Sequence, residues 1–200
     1  MNKYFLITSQ CSNQVGSAIA PINTKLDHEL IPQLENLSEL QFNFNLAKLS
    51  IIETGITINN DLSELKHIWN DYLPNSLAWP LFSVKLKDII LKHLTGDEGV
   101  NWIKARVDCN NEHRIYYIPR FEKVLDVLDT QKTIYVSETG FIIKPCFSLQ
   151  KIKSFGLFHK PSQNDLWKIT SSLYVNENIR KEIIKEKLTG IRFEKTNVSD

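Results

Sequence analysis

Two nine-residue stretches of this chain read nearly alike, and they constrain its fold more than any other feature. Asp88-Ile89-Ile90-Leu91-Lys92-His93-Leu94-Thr95-Gly96 can be laid over Glu182-Ile183-Ile184-Lys185-Glu186-Lys187-Leu188-Thr189-Gly190, with five of nine positions identical. Each reads as the second half of an amphipathic helix. Ser83 is a good N-cap for the first, and Leu86, Ile89, Ile90 and Leu94 recur behind it at helical spacing. Asn176 or a close neighbour caps the second, whose apolar stripe is Ile179, Ile183, Ile184 and Leu188. A Thr-Gly pair stops both, because Gly tolerates the left-handed backbone found there. Helices are predicted over about 83–95 and 177–189. Two explanations stand: a duplicated strand–helix–strand unit, or the general likeness of any amphipathic helix with a Gly stop.

The rest of the chain reads mostly as strands. Residues 3–8, 15–20 and 41–46 are strand candidates, the last by its alternation of polar and apolar positions. Pro21 and Pro32 bracket a segment with room for a short helix. Asp61 and Glu64 have capping-box spacing, which predicts a helix carrying Leu62, Leu65, Trp69 and Tyr72 on one face. Val100–Cys109 and Arg114–Phe121 read as a β-hairpin closed by Asn110-Asn111-Glu112-His113. Further strands are expected at Thr133–Val136, Phe141–Lys144, Phe155–His159, Trp167–Thr170 and Ile191–Glu194, with residues 196–200 frayed. The expected class is α+β, with a mixed, mostly antiparallel sheet and two principal helices.

Seven glycines and seven prolines are scattered singly, with no Pro/Gly/Ser linker, so 1–200 reads as a single domain. A net charge of +1 exerts no global pull toward nucleic acid or an anionic membrane. Cys11, Cys109 and Cys146 are few, distant and odd in number, which fits free thiols in a reducing cytoplasm. No apolar run approaches the roughly 20 residues of a membrane span, and the N-terminal run is short for a secretion signal. A cytoplasmic protein without a membrane partner is expected.

Chemistry-bearing motifs are sparse. The chain has no phosphate-cradling Gly-rich loop, no His-Glu-x-x-His and no Cys-x-x-Cys, so neither cofactor nor metal is expected. Glu112-His113 near Cys109 reads as a solvated turn. His93, beside Asp97 and Glu98, suits a helix C-terminus, where a cation complements the dipole. Asp126 and Asp129 read as turn or cap carboxylates. His159 with Ser171-Ser172 lacks a nucleophile elbow. No catalytic residue is assigned.

Three segments together carry a family resemblance. They are Leu81-Phe82-Ser83-Val84-Lys85-Leu86-Lys87-Asp88-Ile89-Ile90; Arg114-Ile115-Tyr116-Tyr117-Ile118-Pro119-Arg120-Phe121 with Val124-Leu125-Asp126-Val127-Leu128-Asp129; and Leu157-Phe158-His159 with Leu173-Tyr174-Val175-Asn176 and the helix ending Leu188-Thr189-Gly190-Ile191-Arg192-Phe193. Their order and spacing resembles a large family of bacterial immunity proteins encoded beside polymorphic toxins. The likeness covers about 60–195 and leaves 1–60, with its strands and short helix, unassigned. It implies a non-enzymatic cytoplasmic protein of interbacterial competition, whose partner is a cognate toxin encoded by a neighbouring gene.

The hairpin offers a surface for such a partner. Trp102, Lys104 and Arg106 alternate on one strand, and Arg114, Tyr116 and Arg120 on the other. If pairing brings them to one face, two aromatics and four cations meet there. These residue types dominate binding hot spots, and an acidic toxin surface would complement them. A covering helix, with Lys and Arg stems lying along the sheet, explains the same residues structurally. The alternative functions are a nucleic-acid-binding module on this face, and an enzyme whose site is assembled from distant residues.

Overall fold

Ser83 and Asn176 each end a strand and start a helix. Ser83 Oγ accepts from Leu86 N at 3.2 Å, and Asn176 Oδ1 accepts from Ile179 N at 3.0 Å. Each cap contributes about 1 kcal/mol. Packing contributes more: Leu86, Ile89 and Ile90 of the first helix and Ile179 and Ile183 of the second are buried, at roughly 1.5–3 kcal/mol per side chain. Both predicted helices form, at Val84–Lys92 and Glu177–Lys185.

The computed structural model describes residues 3–10, 15–52, 55–65, 67–162 and 165–200; Cys11 lies outside them. In chain order the elements are Tyr4–Ser9 (β1), Gly16–Ile19 (β2), Asp27–Leu30 (α1) running into a 3-10 turn at Ile31–Leu34, Phe44–Ile52 (β3), Gly55–Asn59 (β4), Tyr72–Leu73 (β5), Leu81–Ser83 (β6), Val84–Lys92 (α2), Val100–Cys109 (β7) and Glu112–Phe121 (β8). There follow Ile134–Tyr135 (β9), Ile142–Lys144 (β10), Phe147–Ser148 (β11), Leu149–Ile152 (α3), Leu157–His159 (β12), Leu173–Asn176 (β13), Glu177–Lys185 (α4), Ile191–Lys195 (β14) and Val198–Ser199 (β15). The class is α+β, with mostly antiparallel sheets.

The larger sheet runs β2-β3-β7-β8-β6-β5, with β4 also on β3; a second runs β12-β13-β1-β14. Within them one arrangement occurs twice. Strands β6 and β7 are parallel to each other and flank the antiparallel β8, with α2 as the crossover and β5 outside β6. Strands β13 and β14 likewise flank the antiparallel β1, with α4 as the crossover and β12 outside β13. The strand–helix–strand repeat is therefore architectural. Its middle strand comes from a hairpin in one unit and from the chain start in the other.

Both helices enter one core with Tyr4, Ile7, Phe82, Phe121, Phe158 and Val175. A second core gathers Ile103, Ala105, Val107, Tyr116 and Ile118 of the hairpin against Leu30, Ile31, Leu34, Phe44, Leu62 and Leu65.

The structure departs from the sequence expectations in four places. The described residues of 61–72 form no helix. Asp61 Oδ1 does accept from Ser63 N at 2.9 Å, and Leu65 N reaches Leu62 O at 3.0 Å, but the helix stops after that turn. Tyr72 and Leu73 pair instead with Phe82 and Leu81, and tertiary pairing overrides a short helical pattern. Trp167–Thr170 is a turn rather than a strand, with Lys168 N bonded to Asp165 O at 2.9 Å. The hairpin loop holds two residues, Asn110 and Asn111, so Glu112 and His113 belong to β8. The C-terminus is not frayed: β15 pairs with β11, and Ser199 is buried with its Oγ donating to Phe147 O at 3.3 Å.

Candidate protein-docking surface

The six hairpin residues do not share a face. Trp102 stands opposite Pro119, Lys104 opposite Tyr117 and Arg106 opposite Ile115. Arg120, Tyr116 and Arg114 stand opposite Asn101, Ala105 and Val107. Partners directly across a ladder share a face. A loop with an even number of residues pairs odd positions with even ones, so the single face expected from sequence cannot form. Trp102, Lys104 and Arg106 lie on one side, and Arg114, Tyr116 and Arg120 on the other.

Two of the second set work inward. Tyr116 is buried in the second core, its hydroxyl donates to Asn70 O at 2.8 Å, and burial pushes its phenol well above the usual range. The Arg120 guanidinium donates to the carbonyls of Leu34 and Glu35, stapling the 3-10 turn to the sheet. Arg114 lies at the exposed end, its guanidinium 4.9 Å from the Trp69 ring centre. On the other side, Trp102 is half-buried against Phe82 at 6.3 Å between ring centres. Arg106 Nε donates to Asp108 at 2.6 Å, and that hydrogen bond holds the Asp108 carboxyl below its ordinary range. Lys104 is exposed.

Helix α2 adds two lysines. Lys87 Nζ sits 4.0 Å from the Tyr117 ring centre, over the Lys104 side of the hairpin. Lys85 is exposed and, with Arg114, lines a cleft of 460 Å³ beside the start of α2. Trp69, Asn70 and Asp71 also line that cleft. The Asp71 carboxylate is engaged by the fold: Oδ1 accepts from Ser83 Oγ at 2.7 Å, and Oδ2 from Thr189 N at 2.8 Å and Thr189 Oγ1 at 3.1 Å. Among the described residues, Lys85, Lys104 and Arg114 have no carboxylate at ion-pair distance. The first turn of α2 adds positive potential, as any helix N-terminus does. Lys85 and Arg114 thus form a basic rim around a cleft with one half-buried indole, while Lys104 stands on the other side of the hairpin.

Sequence reasoning missed Trp69, Asp71 and Lys85 as parts of this surface. Trp69 and Asp71 fell inside the supposed helix, and nothing local joins them to Arg114.

The other polar candidates have structural partners. Glu98 is fully buried and accepts from Thr95 N, Thr95 Oγ1, Gly96 N and Gly156 N at 2.9–3.3 Å. His93 Nε2 is 2.8 Å from Glu182 of α4. Asp126 pairs with Lys151 at 2.8 Å, while Asp129 caps a turn and is held below its ordinary pKa first by its hydrogen bond with Ser199. His159 is enclosed between Phe121 and Trp167, and burial lowers its pKa. Ser172 N donates to Thr170 Oγ1 in a turn. Burial raises the Cys109 thiol. Among the described residues no helix is long and apolar enough to cross a membrane, and no three His, Cys, Asp or Glu side chains stand together as metal ligands.

No model of a known protein family matches this chain, and a search of curated proteins finds no match either.

Proposed function

We propose that this chain is an immunity protein, which neutralises a cognate bacterial polymorphic toxin by non-covalent binding in the cytoplasm. The observation that carries the reading is the basic rim: Lys85 and Arg114, exposed and without carboxylate partners among the described residues, with Trp69 beside them. Unpaired surface cations cost little in water and become favourable against an acidic partner, whose approach they speed. Tryptophan and arginine are the side chains on which tight interfaces most often turn. An acidic toxin face seated here, within an interface of about 1,200–2,000 Å², would be held without any catalytic group.

A second reading draws on the same observation. An aromatic ring among free cations also suits single-stranded nucleic acid. Salt separates the two, since phosphate contacts make affinity fall steeply with ionic strength.

The test is co-expression with the toxic domain encoded beside this chain. The natural chain should restore growth, and the double variant Lys85→Glu, Arg114→Glu should not, although it folds and melts normally. Equal protection by both would remove the rim from the interface. Tight, salt-sensitive binding of an oligonucleotide would favour the second reading.

A further inference from the structure

Asn70, in the segment before β5, has no structural explanation for its side chain. It is 3% exposed and lines the cleft beside α2, yet its Nδ2 is buried without a hydrogen-bond partner among the described residues. The residue is held from two sides. Its backbone carbonyl accepts from the Tyr116 hydroxyl at 2.8 Å, and a Cβ on Gly190 would come within 2.6 Å of the Asn70 Cβ. Folded proteins rarely keep a buried amide unpaired without a use for it. A carboxamide can turn about its last bond to present nitrogen or oxygen, so its donor can meet a group that enters the cleft.

The other polar groups of the cleft indicate what that group is. Ser83 and Asp71 are engaged by the fold: Ser83 Oγ donates to Asp71 Oδ1 at 2.7 Å and accepts from Leu86 N at 3.2 Å, and Asp71 Oδ2 accepts from Thr189 N at 2.8 Å. Lys85 and Arg114 are exposed, with no carboxylate at ion-pair distance among the described residues. Val84 and Lys85, the first residues of α2, border the same space and bring the positive end of the helix dipole to it. Each of these features favours a negative charge. The charge balance sets its size. Two cations less the Asp71 carboxylate leave one net positive charge, which a carboxylate neutralises and a phosphate dianion overfills. The planar Arg114 guanidinium matches the two oxygens of a carboxylate, and the 460 Å³ of the cleft leaves room for the stem of an acidic side chain against the Trp69 ring.

We propose that this cleft is a carboxylate-binding site, which seats one acidic side chain of a protein partner among Asn70, Lys85, Arg114 and the first turn of α2. That the acid comes from a protein rests on the docking reading of this surface. The preference for a single carboxylate rests on the cleft alone.

The probe is a capped tripeptide, acetyl-Gly-Glu-Gly-amide, titrated into the purified chain at constant ionic strength and followed by NMR. It should shift the Asn70 side-chain amide signals and the Lys85 backbone amide together, with a dissociation constant on the order of 1–10 mM. The glutamine counterpart and inorganic phosphate should bind at least about tenfold more weakly, and acetate, which lacks the stem, about threefold. Asn70→Leu should lose at least about tenfold in affinity with an unchanged or raised melting temperature, since an apolar side chain of similar shape removes the unpaired amide. Lys85→Gln, at an exposed position, should lose about threefold. Peptide that leaves both signals in place, or binding indifferent to either variant, overturns the proposal. Phosphate bound as tightly as the peptide overturns the choice of a carboxylate, and acetate bound as tightly overturns the choice of a side chain. The two readings fail separately. Peptide binding without protection in the co-expression test keeps the site and removes the toxin as its partner. Protection that depends on Lys85 and Arg114, without peptide binding, keeps the docking surface and removes the site.

Discussion

The two strand–helix–strand units end their helices with the same three residues, Leu-Thr-Gly, yet use them in opposite ways. In the first unit the stop supplies the carboxylate. Thr95 and Gly96 wrap the buried Glu98, which reaches across to Gly156 N at 2.9 Å, just before β12 of the second unit. In the second unit the stop receives one. Thr189 donates its N–H and hydroxyl to Asp71, just before β5 of the first unit, and its carbonyl accepts from Asp71 N and Tyr72 N. Each unit thus fastens its helix end to the outer strand of the other. Similar local sequence produced similar helices, while the partners that hold them were set by the tertiary arrangement.

The glycines give the largest expected effects. A Cβ at Gly156 would lie 2.3 Å from His93 O, and one at Gly190 would lie 2.6 Å from both Tyr72 O and Asn70 Cβ at φ +74°. Gly156→Ala and Gly190→Ala should each cost about 3–5 kcal/mol in urea unfolding, since backbone must move to make room. Gly96 has φ +93° but open space around it, so Gly96→Ala should cost only about 1 kcal/mol. Equal costs at Gly96 and Gly190 would dissolve the contrast between the two stops.

Asp71→Ala comes next. It removes the acceptor of Ser83 and Thr189 and should cost about 2–3 kcal/mol, as hydrogen bonds to a charged group do. The two caps should match each other more closely: Ser83→Ala and Asn176→Ala should each lose about 1 kcal/mol.

The smallest effect lies where the helices meet. Glu182 bonds to Lys92 at 2.9 Å and His93 at 2.8 Å, and its pKa is lowered, first by the Lys92 hydrogen bond. A depressed folded-state pKa contributes stability above the carboxyl's ordinary value of 4.5, and that stability is lost as pH falls through the lower one. Melting curves of Glu182→Gln should therefore show a slightly shallower loss between pH 5 and pH 3, with pH values taken at about one-unit steps. An unchanged acid limb would mean the pair is solvated.

Much of this fold was legible because its signals are local. Ser83, Asn176 and the two Thr-Gly stops bound both main helices, and alternation in 100–121 gave the hairpin. What failed depended on partners far along the chain. Asp61 and Leu62 begin a helical turn, but β6 takes Tyr72 and Leu73 as a strand. Val198 and Ser199 look like a tail until β11 pairs with them. The candidate surface was only partly legible: Lys104, Arg106 and Arg114 are exposed, but register puts Lys104 and Arg106 on the opposite side of the hairpin from Arg114 and sends Tyr116 and Arg120 inward. Trp69 and Lys85 reach the rim through β5 and β6, which no spacing rule connects to the hairpin.

The proposed rim is best tried by titrating the cognate toxic domain that the proposal requires into purified protein, natural and with Lys85→Glu plus Arg114→Glu. Opposed charges at a complementary surface predict at least about a hundredfold weaker association for the double variant, at an unchanged melting temperature. Indistinguishable affinities for two equally folded proteins would contradict the account and place the contact elsewhere on the molecule.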